Sequence, residues 1–415
     1  MTATPLTSIL SLGILLLTAG TSLAQNAGRG PVHTEPPADD PAYLLMGEFV
    51  GPLTVGENQY ETIGLQIRPI GNGDFDAIAY NGGLPGQQHH QPEARRMIGK
   101  LSDGFLVLSG GPWAVLAQQD HCLLLSRTGE RVGRLERIVR RSPTLGAKPP
   151  AEAIVLFDGS NTDQFKNGRM TEDGLLMEGA DIKPMFQDFD LHLEFRLPYM
   201  PEARDQGRAN SGVYIQSRYE CQILDSFAQE PVFNGAGSLY RYKAPALSMS
   251  LPPLTWQTYD IRFTAPRWDA DGQKIRNARV TTWLNGVVVQ DNVELADKTG
   301  AGQPEEPILL PTKLQNHSDP VRFRNIWVVD RGLAPSSPFP VEGSEEPEPA
   351  AEVAEASENA EAAAAETEEA ATAPAAEPAS ATEAATPAGA TEPSAPPAAE
   401  GAAEPAAAAS PSAAQ

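Results

Sequence analysis

The sequence predicts an all-β fold whose larger part is an antiparallel β-sandwich. Three observations carry this. Residues 191–197 alternate strictly, with Leu191, Leu193, Phe195 and Leu197 on one side and His192, Glu194 and Arg196 on the other, the two-residue period of a strand with one buried face. Residues 258–264 repeat the pattern, with Tyr259, Ile261 and Phe263 inward. Residues 280–284 and 287–290 flank Asn285-Gly286, the pair favoured in two-residue hairpin turns. Hardly any helical period accompanies these runs, so a sandwich with one polar face is expected.

The two ends lie outside the fold. Residues 1–24 read as an export signal: an apolar run at 9–19, too short to cross a bilayer comfortably, precedes Ser22-Leu23-Ala24, a small-residue cleavage site. Cleavage after about Ala24 would put the mature protein in the periplasm or outside the cell. A retained N-terminal anchor is the alternative, because the segment carries no Lys or Arg. No later stretch reaches ~18 uninterrupted apolar residues, so no integral membrane segment is expected in the mature chain. Residues 25–42, rich in Gly, Pro and Asp, read as a linker. Residues 334–415 read as a disordered tail. From residue 342 onward there is no aromatic side chain, and Val353 is the one β-branched aliphatic, too little apolar surface to offset the entropy of ordering. Most of the net charge of −23 belongs to this glutamate-rich tail, leaving a mildly acidic body. Neither part offers the basic footprint that nucleic acid requires. The two cysteines exclude a disulfide-dense scaffold and a Cys-rich zinc module.

Residues 43–147 form a first β-rich module. Strand-like runs at 60–69, 75–80, 104–109 and 114–116, with turns at Asn72-Gly73 and Asn81-Gly82, suggest a small meander or sandwich. His89-His90, with His121, is either a metal site or part of a solvated loop. Adjacent histidines on a strand face opposite ways, which favours the loop. Five arginines between residues 131 and 141 make either a dock for an acidic partner, such as the chain's own tail, or an exposed strand or helix face. A break at 142–150 (SPTLGAKPP) precedes the second module, residues 150–333.

That module holds the chemistry. Along 219–225 (YECQILD), Glu220 and Gln222 share one face, and Tyr219, Cys221 and Ile223 the other. Along 210–216, Asn210, Gly212, Tyr214 and Gln216 share a face, and Gly212 would let a ligand approach the backbone. As neighbours, the two strands pool Asn210, Tyr214, Glu220 and Gln222. Gln315-Asn316-His317-Ser318 precedes a last strand at 321–329, and His317 is the histidine suited to acid or base work near neutral pH. Plainer readings stand beside these: Glu194 with Arg196, or Glu220 with Arg324, as surface ion pairs; Asn325 as a turn or bulge; Cys221 as a small buried hydrophobe or as the partner of Cys122. No nucleophile elbow, P-loop, zinc-binding helix or dinucleotide fingerprint is present.

In order and spacing, residues 153–330 resemble the 3-keto-disaccharide hydrolase domain. The resemblance rests on Ile154-Val155-Leu156-Phe157-Asp158-Gly159, on Phe189 to Arg196, and on Asn210-Ser211-Gly212-Val213-Tyr214. It continues through Tyr219 to Asp225, Gly237-Ser238-Leu239-Tyr240, Trp256 to Asp260, Asn285-Gly286, Asp291 to Leu295 and Phe323-Arg324-Asn325-Ile326-Trp327. It implies a concanavalin-like jelly roll acting on sugars oxidised at C3. There the ketone acidifies the C2 proton and the glycosidic oxygen is β to it, so a base can trigger elimination and water can add back. On this reading Glu220, His317 and then Glu194 are the candidate acid and base. Asn210, Tyr214, Gln222, Tyr240, Gln315 and Arg324 are the substrate contacts, and a divalent cation on the keto oxygen is an optional aid. The chain departs from the family pattern at Phe165, usually Trp, at Arg241, usually Gly, and in a long charged loop before Asn210.

An exported glycan-processing enzyme is therefore the leading expectation. A non-catalytic, lectin-like module of the cell envelope and a surface-assembly component are the alternatives, because fold alone does not decide function. Convergence of Glu220, Glu194 and His317 in one pocket is the expected mark of catalysis.

Overall fold

The computed structural model describes residues 29–333. The expected signal peptide, residues 25–28 of the expected linker and the tail lie outside the described residues. The described part of that linker is a packed strap. Asp40 caps a one-turn helix, α1 (Pro41–Leu45), His33 pairs with Tyr199 as an isolated bridge, and Arg29 binds Asp319 at 2.8 Å.

Eight strands follow: β1 (Gly47–Gly56), β2 (Gln59–Pro69), β3 (Asp74–Asn81), β4 (Ala94–Ser102), β5 (Phe105–Ser109), β6 (Ala114–Ala117), β7 (His121–Leu125) and β8 (Arg131–Ile138). Each pairs with the next, and β1 pairs with β8, so the meander closes into a barrel without a free edge. Phe49, Ile63, Leu65, Ile67, Phe75, Leu106, Leu108 and Leu135 fill its interior. At the closing seam a side chain on Gly51 would strike the backbone of Arg134. Of the five arginines from 131 to 141, Arg131 and Arg141 are exposed, and the other three bind partners within the molecule. Arg134 pairs with Glu136; Arg137 donates to the carbonyls of Leu44 and Met46, both at 2.8 Å; Arg140 pairs with Glu48 at 2.5 Å. His90 bonds the Gly83 carbonyl at 3.1 Å and stacks edge-on to Tyr80, so the histidine pair belongs to a loop tied to the barrel.

The sandwich comprises β9 (Ile154–Phe157), β10 (Phe165–Lys166), β11 (Leu176–Met177), β12 (Ala180–Ile182), β13 (Asp188–Arg196), β14 (Ser211–Ile215), β15 (Tyr219–Ile223), β16 (Trp256–Thr264), β17 (Arg267–Trp268), β18 (Lys274–Arg276), β19 (Ala278–Leu284), β20 (Val287–Leu295), β21 (Lys313–Leu314) and β22 (Arg322–Gly332). One sheet has the order β10-β12-β21-β14-β15. The other runs β11-β22-β13-β16-β19-β20, with β9 on β22. A single core lies between them, where Leu191, Leu193, Phe195, Tyr259, Ile261 and Phe263 of the larger sheet meet Val213, Ile215, Tyr219, Cys221 and Ile223 of the smaller. Cys221 in this core and Cys122 in the barrel are both buried and free. Arg241, at a position where glycine is usual, sits at φ +57°, a left-handed turn that glycine adopts without strain.

Barrel and sandwich belong to one compact unit. Met46, Tyr199, Phe227 and Ala228 pack together where they meet. The segment at 142–147 is not a loose break. It lies across the outer face of the larger sheet, with Thr144 Oγ1 donating to Asp260 at 2.8 Å and Gly146 N to Glu194 at 2.6 Å. Among the described residues, no helix is long and apolar enough to cross a membrane.

Candidate active site

On the smaller sheet the two-residue period places Gly212, Tyr214, Glu220 and Gln222 on the face turned away from the core. Antiparallel pairing sets Gly212 opposite Gln222 and Tyr214 opposite Glu220. Tyr214 donates its phenolic proton to Glu220 Oε2 at 2.7 Å. Two glycines make room for the carboxylate. A Cβ on Gly212 would meet Glu220 Oε1 at 2.8 Å, and one on Gly300 would meet Glu220 Oε2 at 3.1 Å. Tyr240 borders the same notch: the Gly300 Cβ would come within 2.6 Å of its ring. Its amide donates to the Glu220 carbonyl at 3.0 Å. Thr299 Oγ1 holds the Glu220 amide at 2.7 Å.

Glu220 is 2% exposed and has no cationic partner among the described residues. Burial pushes its carboxyl up to about 7, against the downward pull of the Tyr214 hydrogen bond. The Tyr214 hydroxyl is pushed up in turn, first by burial and then by the carboxylate beside it, so it stays a proton donor.

The segment after β21 is pinned along the start of β14. Gln315 N donates to Gly212 O at 2.8 Å, Ser211 Oγ to Gln315 O at 2.8 Å, and Asn210 N to Asp319 Oδ2 at 2.7 Å. This brings Gln315 and His317 to the strand that carries Tyr214. Gln315 Oε1 would lie 3.4 Å from a Gly212 Cβ, in the same notch as Glu220. Among the described residues, Asn210 Oδ1, Gln315 Oε1 and His317 Nδ1 are buried without a hydrogen-bond partner. Three unsatisfied polar atoms at one strand end are what a site awaiting a polar ligand presents.

The pattern reading missed Gln206. It lies in the loop before Asn210, in a short 3-10 turn (Asp205–Gly207). Gln206 accepts from Gln222 at 3.0 Å and from Asn210 at 3.3 Å, and donates to Asn234 O at 2.9 Å. The Gln222 amide is thus held within the scaffold, so Gln222 sets the wall of the notch. The charged loop into which Gln206 falls was the one available signal.

Three expectations change. Glu194 and Arg324 do not join Glu220. Their strands belong to the larger sheet, and they point to its outer side, across the whole core, sheets being ~10 Å apart. There the Arg324 guanidinium binds Glu194 at 2.7 Å and stacks 4.0 Å over Trp256. Asn325, at φ +46°, forms the bulge where β22 slips by one residue against β13, and donates to Glu194 at 2.9 Å. His192 binds Asp260 at 2.6 Å and stacks on Trp327. Burial alone would raise the Glu194 carboxyl, but bonds from His192, Asn325, Arg324 and the Gly146 amide bring it down to about 2. Nor does Gln216 share the Glu220 face. The strand ends at Ile215, Gln216 and Ser217 turn through positive φ, and the Gln216 amide donates to Phe186 O at 2.8 Å. Among the described residues, no three His, Cys, Asp or Glu side chains are grouped to hold a metal ion.

Residues 152–329 match the model of the 3-keto-alpha-glucoside-1,2-lyase-like domain. No curated protein matches the chain. Three solved structures from Parabacteroides distasonis ATCC 8503, each a glycosyl-hydrolase candidate, are similar to it. The first is 33% identical, covering 44% of this chain and 84% of its own, with a TM-score of 0.40. The second is 18% identical, covering 43% and 94%, with a TM-score of 0.31. The third is also 18% identical, covering 43% and 98%, with a TM-score of 0.32. Through its sandwich, the chain belongs to the family of 3-keto-alpha-glucoside-1,2-lyase-like domains.

Proposed function

We propose that the protein cleaves 3-keto-glycosides by elimination followed by hydration, with Glu220 as the base. The observation that carries this is one carboxyl, buried without a cation, poised at about 7, and given room by two glycines packed against it. An acid–base group works best with a pKa near the working pH.

The Glu220 carboxylate removes the C2 proton, and the C–H electrons pass into a C2–C3 enolate. As the ketone re-forms, the C1–oxygen bond breaks and leaves a 2-hydroxy-glycal with a 3-keto group. The departing oxygen takes a proton, for which His317 is the candidate donor. Water then adds at C1, losing a proton to the His317 imidazole and so restoring it, and the Glu220 carboxylic acid returns a proton to C2. Asn210 and Gln315, with their unsatisfied oxygens, accept hydrogen bonds from substrate hydroxyls.

The test is to incubate the protein with 3-keto-trehalose in deuterium oxide. Release of glucose, a transient glycal and deuterium at C2 of the product are expected, all lost in Glu220→Gln. Undiminished turnover in that variant would sink the assignment. We propose further that the protein works outside the cytoplasm, on the strength of residues 9–24. N-terminal sequencing of the cell-envelope fraction should begin near Gln25, and an uncleaved cytoplasmic chain would contradict it.

A further inference from the structure

We infer that the barrel forms one wall of a second sugar subsite, which holds the leaving group of the substrate. The inference rests on the elimination reading above. A cleft of about 440 Å³ runs between the barrel and the sandwich. From the end of β2 and from β4 the barrel contributes Arg68, Arg96 and Ile98. The sandwich contributes Gln206, Val232 and Asn234. Gln206 and Asn234 also hold the amide of Gln222, two residues along the strand from Glu220. One wall is therefore common to the cleft and to the catalytic notch.

The chemistry of the cleft points to a neutral polyol. Arg68 is 8% exposed, and its Nε is buried without a partner among the described residues. Its outer nitrogens are taken by Asp76 at 3.0 Å and, with the Gln229 carboxamide turned so that its oxygen faces the guanidinium, by Gln229 at 2.8 Å. Arg96 is paired with Glu230 at 2.8 Å, bridging barrel and sandwich. Each cation already has an acid, so no charge is left over for an anionic ligand. Forked donors and carboxylates that share hydrogen bonds are suited to hydroxyl groups. Ile98, 67% exposed, and Val232, 42% exposed, offer apolar patches for the C–H face of a pyranose.

The substrate's covalent structure fixes which part enters. In a 3-keto-disaccharide oxidised on its non-reducing ring, that ring sits with C2 at Glu220 and bears a single large substituent, the sugar on C1. A subsite sharing a wall with the notch receives that sugar. Binding energy gained there acts on the step at C1 through orientation of the scissile bond.

The experiment compares 3-keto-trehalose with methyl 3-keto-α-glucoside, which lacks the second sugar, in the full-length protein. Two variants fill the cleft from opposite sides: Ile98→Trp on the barrel and Val232→Trp on the sandwich. Each is checked for an unchanged melting temperature, and either alone suffices. The native protein should prefer the disaccharide. A filled cleft should lower kcat/KM on the disaccharide by roughly 10-fold or more and leave the methyl glycoside within about 2-fold. An equal effect on both substrates, or none on either, overturns the subsite while leaving the elimination reading intact. If the native protein turns over neither keto-sugar, the elimination reading fails and the subsite falls with it.

Discussion

Glu220 and Glu194 are both almost wholly buried glutamates in the middle of alternating strands, and the chain uses them in opposite ways. Glu220 faces a glycine-lined notch with a single phenol as its partner and is raised to about 7. Glu194 faces the 142–147 segment, with Arg324, Asn325, His192 and the Gly146 amide around it, and is lowered to about 2. The number and kind of the partners separate a carboxyl that is raised from one that is depressed, although both are almost wholly buried.

The largest effect expected from breaking this contrast is at Glu220. Glu220→Gln should lower kcat by about 10³-fold, within the usual range for an acid–base group, as measured in single-turnover assays. The same change should also relieve strain. The folded carboxyl titrates above its unfolded value of 4.5, so ionisation destabilises the fold; the penalty sets in as pH rises from about 4.5 and is complete above about 7. Thermal melts should show Glu220→Gln matching the native protein at pH 4 and exceeding it at pH 8. A variant less stable at both would contradict the reading.

Glu194→Ala should do the reverse. Activity per folded molecule should hold, while urea unfolding loses about 2–3 kcal/mol, because several donors are left unpaired; the partial exposure of Arg324 keeps the loss below that of a fully buried pair. With its carboxyl depressed, the stability that Glu194 contributes is present above about 4.5 and is lost as pH falls toward about 2. The variant should therefore be less acid-sensitive than the native protein.

Next in size is Gly212→Ala, whose new methyl would press on Glu220 Oε1 at 2.8 Å. Raised KM and a roughly 10-fold loss of kcat/KM are expected from a misplacement near the reacting atoms. The smallest effect is at Tyr214. Removing the hydroxyl in Tyr214→Phe deletes the one interaction that favours the ionised carboxyl, so the rising limb of the pH–rate profile should move above about 7. A shift to lower pH would show that the phenol acts on Glu220 in some other way.

What the sequence disclosed follows from distance along the chain. The Glu220 face was legible because its makers sit on two strands joined by a tight turn, where period two alone puts Tyr214, Glu220 and Gln222 together. The sandwich strands at 188–196, 256–264 and 278–295 were legible for the same reason. Barrel closure was not, because β1 and β8 lie about eighty residues apart, and β1 breaks its alternation with Gly51 and Pro52. The role of Glu194 was hidden for a related reason. Its polar face reads as a solvent or ligand face until residues 142–147 come back to cover it. Gln206 and the cleft beyond it depend on a loop, where no period applies.

The 142–147 segment has one further consequence, for how the protein can be cut. Composition places a break between the modules at 142–150, with the second module starting at 150. Yet Ser142 and Thr144 hydrogen-bond to Thr258, and the Ala147 carbonyl accepts from Asn325, so these residues complete the sandwich rather than precede it. A fragment started at residue 150 would leave His192, Glu194 and Asp260 bare to water, whereas one started before Ser142 would carry its own cover. The portable unit is thus longer at its N-terminal side than the stretch its relatives share.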